Sequence, residues 1–517
     1  MKRSIIALLI ALSIANSSLA QTSRPASSTA RSNAAAAAKP APARQSIEIP
    51  FVNKVLPNGL EVIVLSDKSV PLVTVELAVR NGSFTEPPEL NGLSHLFEHM
   101  FFKTNKASLV IPCSTGNINP VYSDHCDEVN KTRPQIGDTS FLEDLGKLGI
   151  VYNGSTREEV VNYYYTTTTP YLETAMRVIN ASVRFPLFDE QEFENEKQVV
   201  IGEIDRNESN PGYYLNLALH NRLFYKYPTR KNPLGTRESV ASATTDKMRL
   251  IQSRYYVPNN SALVVTGDVK ADEVFALAER IMGSWERRRV DPFKEFPLVE
   301  HPPLAKSSGE IIEKRMGGDD DASGGTEQNV YIQIGWHGPS IGKDDAATYA
   351  ADVFSYILTQ PDSRFQRNLV DSGLATGVAI NYYTQRNVGP ITVLLVTTPA
   401  KARAALKALY GEIAQFASPG YYTADELEAS KTILSARDLF DREETSEYTH
   451  TLGFWWSSTG IEYFRGYHKN LDAVTRADID RYVKTYIIGK PRVGVALLAP
   501  EAQAAAKLTE ADLVGGK

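Results

Sequence analysis

Asn91-Gly92-Leu93-Ser94-His95-Leu96-Phe97-Glu98-His99-Met100-Phe101-Phe102-Lys103 is the stretch on which the reading of this chain turns. Its apolar residues fall at helical spacing from Leu93 to Phe102, and Asn91-Gly92 makes a loop-to-helix entry. Positions four apart on a helix share a face, so His95 and His99 can grip one metal ion together, with Glu98 bordering the same face. Imidazole nitrogen is a preferred zinc ligand, and catalytic zinc keeps three protein ligands plus a water. A carboxylate beside that water can take its proton while the oxygen attacks a carbonyl. With 8 His and 61 acidic residues in 517, chance supplies only about 0.015 His-x-x-acid-His matches. A histidine pair at this spacing can also be merely structural.

Upstream, Asn58-Gly59 is a turn dipeptide between Phe51–Leu56 and Leu60–Leu65 and predicts a hairpin, with a further strand at Leu72–Arg80. The motif therefore follows strand and loop. Downstream, Phe193-Glu194-Asn195-Glu196-Lys197-Gln198-Val199-Val200-Ile201-Gly202-Glu203 puts Glu196, Val199, Val200 and Glu203 at three- and four-residue spacing. These positions lie along one helical stripe. A glutamate on a mainly apolar stripe needs a partner if it is buried, and zinc would be one; a solvated acidic face is the other reading.

Thr244, Met248, Tyr255, Val257, Ala262 and Val264 recur as Thr475, Ile479, Tyr486, Ile488, Val493 and Val495, each pair offset by 231 (475 − 244 = 231). Both copies read as a helix running into a buried strand. The period is far too long for a solenoid and predicts two homologous halves. They join between Glu286 and Gly309, where prolines break any pattern. Strands and helices mix without strict alternation, which predicts an α+β fold, each half a mixed or antiparallel sheet with helices packed on it. The expected domains are 47–290 for the metal-bearing half, 291–308 for a linker, and 309–517 for a second half without a metal site.

Composition bounds the alternatives. At 517 residues, two large domains are the prior. A formal charge of −6 argues against nucleic acid as a partner. Lys2 and Arg3, the apolar run Ile5–Ile14 and Ser18-Leu19-Ala20 read as a secretory signal over residues 1–20. An uncleaved anchor is the alternative, but the apolar run is short of the roughly 20 residues that span a bilayer. Residues 21–46 are Ala, Ser, Pro and Arg with little to bury, so they read as a disordered linker. No later segment reads as a membrane span. The expected location is outside the cytoplasm, periplasmic or secreted. Gly317-Gly318-Asp319-Asp320-Asp321 lacks the spacing of a calcium loop and reads as a hairpin tip.

Cys113 and Cys126 are the two cysteines and sit in a stretch that reads as loop. In an oxidising compartment they are expected to pair. Two free thiols are the alternative, and a zinc site with His125 would have an incomplete ligand set.

The motif stretch, together with Asn153-Gly154-Ser155-Thr156-Arg157-Glu158-Glu159, Tyr163, the segment Glu196–Glu203, Leu234-Gly235-Thr236 and Tyr255–Asn260, resembles the pitrilysin/insulinase family of zinc peptidases, on the side of the mitochondrial and bacterial processing peptidases. The likeness runs from about residue 48 onward, strong in the first half and diffuse in the second. It implies two homologous α+β halves enclosing a cavity, and one zinc ion on His95, His99 and Glu203. It also implies Glu98 as general base, Glu196 orienting a histidine ligand, and Asn153 near an edge strand on which the substrate backbone adds. The implied activity is endopeptidase action on short or unfolded polypeptides. Non-catalytic subunits that keep the fold for peptide binding or assembly, and a zinc hydrolase of another substrate, are the competing readings.

Two departures from the family pattern stand out. The distance from His99 to Glu203 is long (203 − 99 = 104), and the excess falls in 106–140 with both cysteines, which reads as a disulfide-closed surface insertion near the site. Active members also carry an Arg and a Tyr in the second half that bind substrate carbonyls. Here Leu369 or Val370 and Thr376 stand at those positions, with Arg364, Arg367, Tyr382 and Tyr383 nearby but out of register. The expectation is a heterodimer in which a homologous subunit supplies that clamp.

Overall fold

The Asn58-Gly59 turn closes the expected hairpin: β1 (Val52–Val55) pairs antiparallel with β2 (Glu61–Ser66), and Gly59 takes the positive φ of 90° that the turn requires. A computed structural model describes residues 48–315 and 329–515, apart from the Asp144 side chain. The expected signal (1–20), linker (21–46) and Gly317–Asp321 hairpin tip lie outside the described residues.

β3 (Leu72–Val79), β4 (Val151–Thr156), β5 (Val161–Thr168) and β6 (Ser261–Gly267) complete a first sheet in the order β1-β2-β6-β3-β5-β4. β7 (Ser308–Glu313), β8 (Val330–His337), β9 (Gly377–Tyr382), β10 (Pro390–Thr397) and β11 (Val493–Leu498) form a second sheet in the order β7-β11-β8-β10-β9. Apart from β1, the orders are the same under the sequence repeat. β6 and β11 each lie parallel to one neighbour and antiparallel to the other. Thr244 and Thr475, 231 apart, each cap the helix that leads into that strand. The fold is α+β in two like halves.

Strand alternation divides each sheet into two apolar faces. In the first, Val62, Val64, Val75, Leu77 and Tyr163 pack under α1 (Leu93–Phe101) and the helices that follow it. Ile63, Leu65, Ala78 and Val264 point the other way and are covered by Tyr448, Leu452 and Trp456 of the Thr445–Ser458 helix, which belongs to the second half. The exchange is reciprocal. α2 (Lys106–Thr115), α3 (Cys126–Ile136), α4 (Leu172–Arg184) and α5 (Glu190–Glu208) stay with the first half. α6 (Pro211–Leu223) instead lays Leu215, Leu219 and Leu223 on Val493, Val495 and Leu497 of the second sheet. Polar contacts follow the same exchange: the Trp456 indole donates to Glu61 at 2.7 Å, and Lys231 donates to the carbonyls of Asn387 and Val388.

The 106–140 segment corrects the loop reading. Cys113 lies in α2 and Cys126 opens α3. The Asn105 side chain accepts from the amides of Ala107 and Ser108 and starts α2. Pro112 and Pro134 sit in the last turns of the two helices. The cysteines form a disulfide across a separation of 13 residues, and closing such a loop stabilises by about 3 kcal/mol in the chain-entropy model. Among the described residues no helix is long and apolar enough to cross a membrane.

Because each exchanged helix seals the other half's sheet, Leu219→Ala and Leu452→Ala should each cost about 2–5 kcal/mol. Both should lower the midpoint of one shared denaturation transition. Separate transitions for the two halves in either variant would show that the exchange does not couple them.

Candidate metal centre and its edge strand

α1 is built to hold one side of itself still. Its buried residues Leu96, Phe97, Met100 and Phe101 lock into the first core. Phe97 stacks on Tyr256 at 4.0 Å and Phe101 on Tyr163 at 3.7 Å. Its N-terminus is closed by the buried Glu86 carboxylate, which accepts from the amides of Gly92 (2.8 Å) and Ser94 (2.6 Å). A carboxylate there meets both the free amides and the helix dipole. Burial raises the pKa of Glu86 while those bonds lower it, with a net upward shift. Gly92 has φ 86°, and a Cβ on it would come within 2.8 Å of the Gly235 backbone. The close approach of these two glycines accounts for the Leu234-Gly235-Thr236 segment.

The opposite side of α1 faces α5, and His95, Glu98, His99, Glu196 and Glu203 meet there. His95 Nε2 lies 3.5 Å from Glu203 Oε2, and His99 Nε2 lies 3.9 Å from the same oxygen. One donor atom from each of the three residues falls within 4.8 Å of the others. Glu196, about two turns earlier on the same face of α5, bonds His99 Nδ1 at 3.1 Å through Oε2 and Lys103 Nζ at 2.5 Å through Oε1. A proton on His99 Nδ1 facing Glu196 leaves the Nε2 lone pair aimed at Glu203. The expected stripe is corrected at one position: Val199 is exposed, while Glu196 and Val200 are buried and Glu203 is half-buried.

Burial, with the neighbouring His99, lowers His95 to about 3, so this imidazole is neutral and offers a lone pair. Two imidazole nitrogens and a carboxylate oxygen, converging at separations of this size, fit a tetrahedral ion with bonds near 2.0–2.2 Å and one open position. His95 Nδ1 is buried and has no hydrogen-bond partner among the described residues, so only His99 carries an outer brace.

Glu98 Oε2 is 3.9 Å from His95 Nε2 and accepts from Thr156 Oγ1 at 3.2 Å. Burial raises Glu98 to about 7, against the opposing pull of His99 and Thr156. Its side chain lies over β4, where a Cβ on Gly154 would come within 2.7 Å of Glu98 Cγ. β4 is an edge strand, paired among the described residues with β5 alone. Asn153 lies on it, exposed, beside Gly154.

The expected set of His95, Glu98, His99, Glu196 and Glu203 is thus brought together, with Asn153 at the adjoining strand edge. Sequence reasoning missed Glu86, Lys103 and Thr156. Lys103 was visible as the residue four after His99, the helical spacing that brings it to the same brace.

In the second half, Leu369 is fully buried in the core, and Val370 is packed against it. Thr376 is exposed, with its hydroxyl turned to the Val396 carbonyl. Arg364 pairs with Glu412, Arg367 caps the Asp362 carbonyl, and Tyr382 bonds the Pro339 carbonyl. Leu369, Val370 and Thr376 carry no basic or phenolic group.

Comparison with known proteins bears on the family and the fold. The family model described as Insulinase (Peptidase family M16) matches residues 61–109 and 130–237, and the gap between them holds both cysteines. The model described as Peptidase M16 inactive domain matches 242–434. An uncharacterized zinc protease of Bacillus subtilis is 24% identical over 419 residues, 81% of this chain and 89% of that protein. A probable mitochondrial-processing peptidase subunit beta of Arabidopsis thaliana is 24% identical over 265 residues, 51% of this chain and 44% of that one. A crystal structure of a protease from Helicobacter pylori superposes with a TM-score of 0.69 at 20% identity, covering 86% of this chain and 99% of that one, a likeness of fold. With both family models matching in order along two like halves, the chain belongs to the pitrilysin/insulinase family, peptidase family M16.

Proposed function

We propose that this chain is a zinc-dependent endopeptidase acting on short or unfolded polypeptides, and that it is the metal-bearing subunit of a heterodimer. The convergence of His95, His99 and Glu203 with Glu98 beside them carries the reading, and the names of the zinc protease relatives support it. Zinc on those three residues would polarise a peptide carbonyl and acidify a water. Glu98 is the group that takes the water's proton, at Oε2, and returns it to the leaving amine. Thr156 fixes the rotamer of that carboxylate through its hydroxyl. Glu196, itself held by Lys103, fixes the His99 ring. A peptide adding to the free edge of β4 would run past Glu98 with its main chain bonded to the strand.

The heterodimer rests on what the second half lacks. With Leu369 buried and Thr376 bound to its own sheet, no carbonyl clamp stands at the family's positions. A relative is named as a subunit beta. Export is part of the same proposal, supported by the N-terminal charge and apolar run and by the Cys113–Cys126 bond.

Glu98→Gln should abolish peptide turnover and leave zinc bound; unchanged turnover in that variant would contradict the peptidase reading, as would no turnover in the wild type with any homologous partner. Glu196→Gln should weaken zinc about 10–100-fold, measured by competition with a chelator, whereas equal affinity would remove Glu196 from the site. The isolated chain should cleave slowly and speed up when a homologous subunit bearing the Arg and Tyr is added. Full activity from a verified monomer would refute the pairing.

A further inference from the structure

The face of the first sheet turned toward the second half carries polar rows among its apolar residues, and one of them holds a buried carboxylate. Glu76 on β3, Tyr164 on β5 and Asn153 on β4 are direct cross-strand partners, so their side chains lie side by side on one face. The row ends at the edge strand, one residue from Gly154, over which Glu98 sits. The Tyr164 hydroxyl meets the Asn153 side chain.

Glu76 is fully buried in the centre of a sheet, a costly place for a carboxylate without a partner. Its partner comes from the other half: His450, on the Thr445–Ser458 helix, bonds Glu76 Oε2 through Nδ1. The helix can come this close because residue 453 is glycine; a Cβ there would overlap Glu76 Oε1. The His450 ring lies 4.2 Å from that of Tyr164, and its side chain is 22% exposed against 0% for Glu76. Nδ1 is therefore committed to Glu76, while part of the ring stays exposed beside Tyr164, the cross-strand neighbour of Asn153.

We propose that His450 is a substrate-binding residue, its Nε2 donating a hydrogen bond to an acidic side chain of a peptide paired with β4. The inference rests on the reading of β4 as the peptide-binding edge. Alternate side chains of an added strand point to the face that carries Asn153, Tyr164 and His450, and an imidazolium backed by a buried carboxylate makes a charge-assisted bond to a second carboxylate. This contact acts beside the carbonyl clamp of a partner subunit, on a different part of the peptide.

His450 must carry both protons to donate from Nε2. Burial opposes this, but the charge of Glu76 and its hydrogen bond outweigh burial, and the pKa of His450 is raised. The other groups facing it are Glu447 on its own helix, which favours the cation, Arg157 after β4, which disfavours it, and Tyr164 on β5. The acidic contact is present while His450 is protonated and is lost as pH rises through its folded pKa.

The test is fluorescence anisotropy with the full-length, zinc-loaded Glu98→Gln protein and an unstructured labelled peptide, compared with versions carrying Glu or Gln at each position in turn. At one or more positions Glu should bind about tenfold tighter than Gln at low pH, with the preference fading as imidazole deprotonates. In His450→Gln the preference should vanish, and in Glu76→Gln it should fade at lower pH. If the histidine variant does not fold, the Glu76→Gln shift and the wild-type pH dependence decide. Equal binding of Glu and Gln peptides at every position, or a preference that survives His450→Gln, would overturn the role of His450 alone. No binding of any peptide would overturn the reading of β4 and the inference with it.

Discussion

The contact between α1 and α5 is the constraint on which the site depends. Two helices far apart in sequence each give one face to a common core and leave two imidazoles and three carboxylates close together. Lys103 offsets only the charge of Glu196, and burial pushes His95 down and Glu98 up. The core residues that oppose this cost are the large rings of α1 stacked on Tyr163 and Tyr256, and Phe193 and Val200 of α5. The packing energy of the first half holds these groups in a shape that could take an ion.

A second constraint joins the halves. Each sheet buries one face under its own helices and the other under a helix of the opposite half, so neither half has a complete core by itself. This arrangement carries residues of the second half, His450 among them, to the inner face of the first sheet, and it puts the edge strand β4 within reach of both. The disulfide-closed pair α2 and α3 follows α1 directly. Its His125 and Tyr122 bond Asp189 and Glu192 in the first turn of α5, so the insertion braces the same helix that carries Glu196 and Glu203.

Much of this was legible in the residues. His95, Glu98 and His99 could be read because a helix fixes the geometry of positions three and four apart. The two halves could be read because Thr244 and Thr475 cap equivalent helices at a constant offset. Glu203 was harder: spacing along α5 gave equal weight to a solvated face, and family resemblance made the choice. The exchange of α6 and the Thr445–Ser458 helix was invisible, since an amphipathic helix does not say which sheet it will cover. Glu86 and Glu76 were missed for a related reason. Each is a buried carboxylate whose partners, the α1 amides in one case and His450 in the other, are set by tertiary packing. The α2 and α3 helices read as loop from the residues, and the structure accommodates Pro112 and Pro134 near their ends.

The central claim is that one metal ion is held by two imidazoles and a carboxylate from across the helix pair. Anomalous diffraction at the zinc edge from crystals of the zinc-loaded protein tests it most directly. A single strong peak is expected between His95 Nε2, His99 Nε2 and Glu203, with Glu98 beside the ion and not bonded to it. A peak elsewhere in the fold, or none between these three side chains, would contradict it.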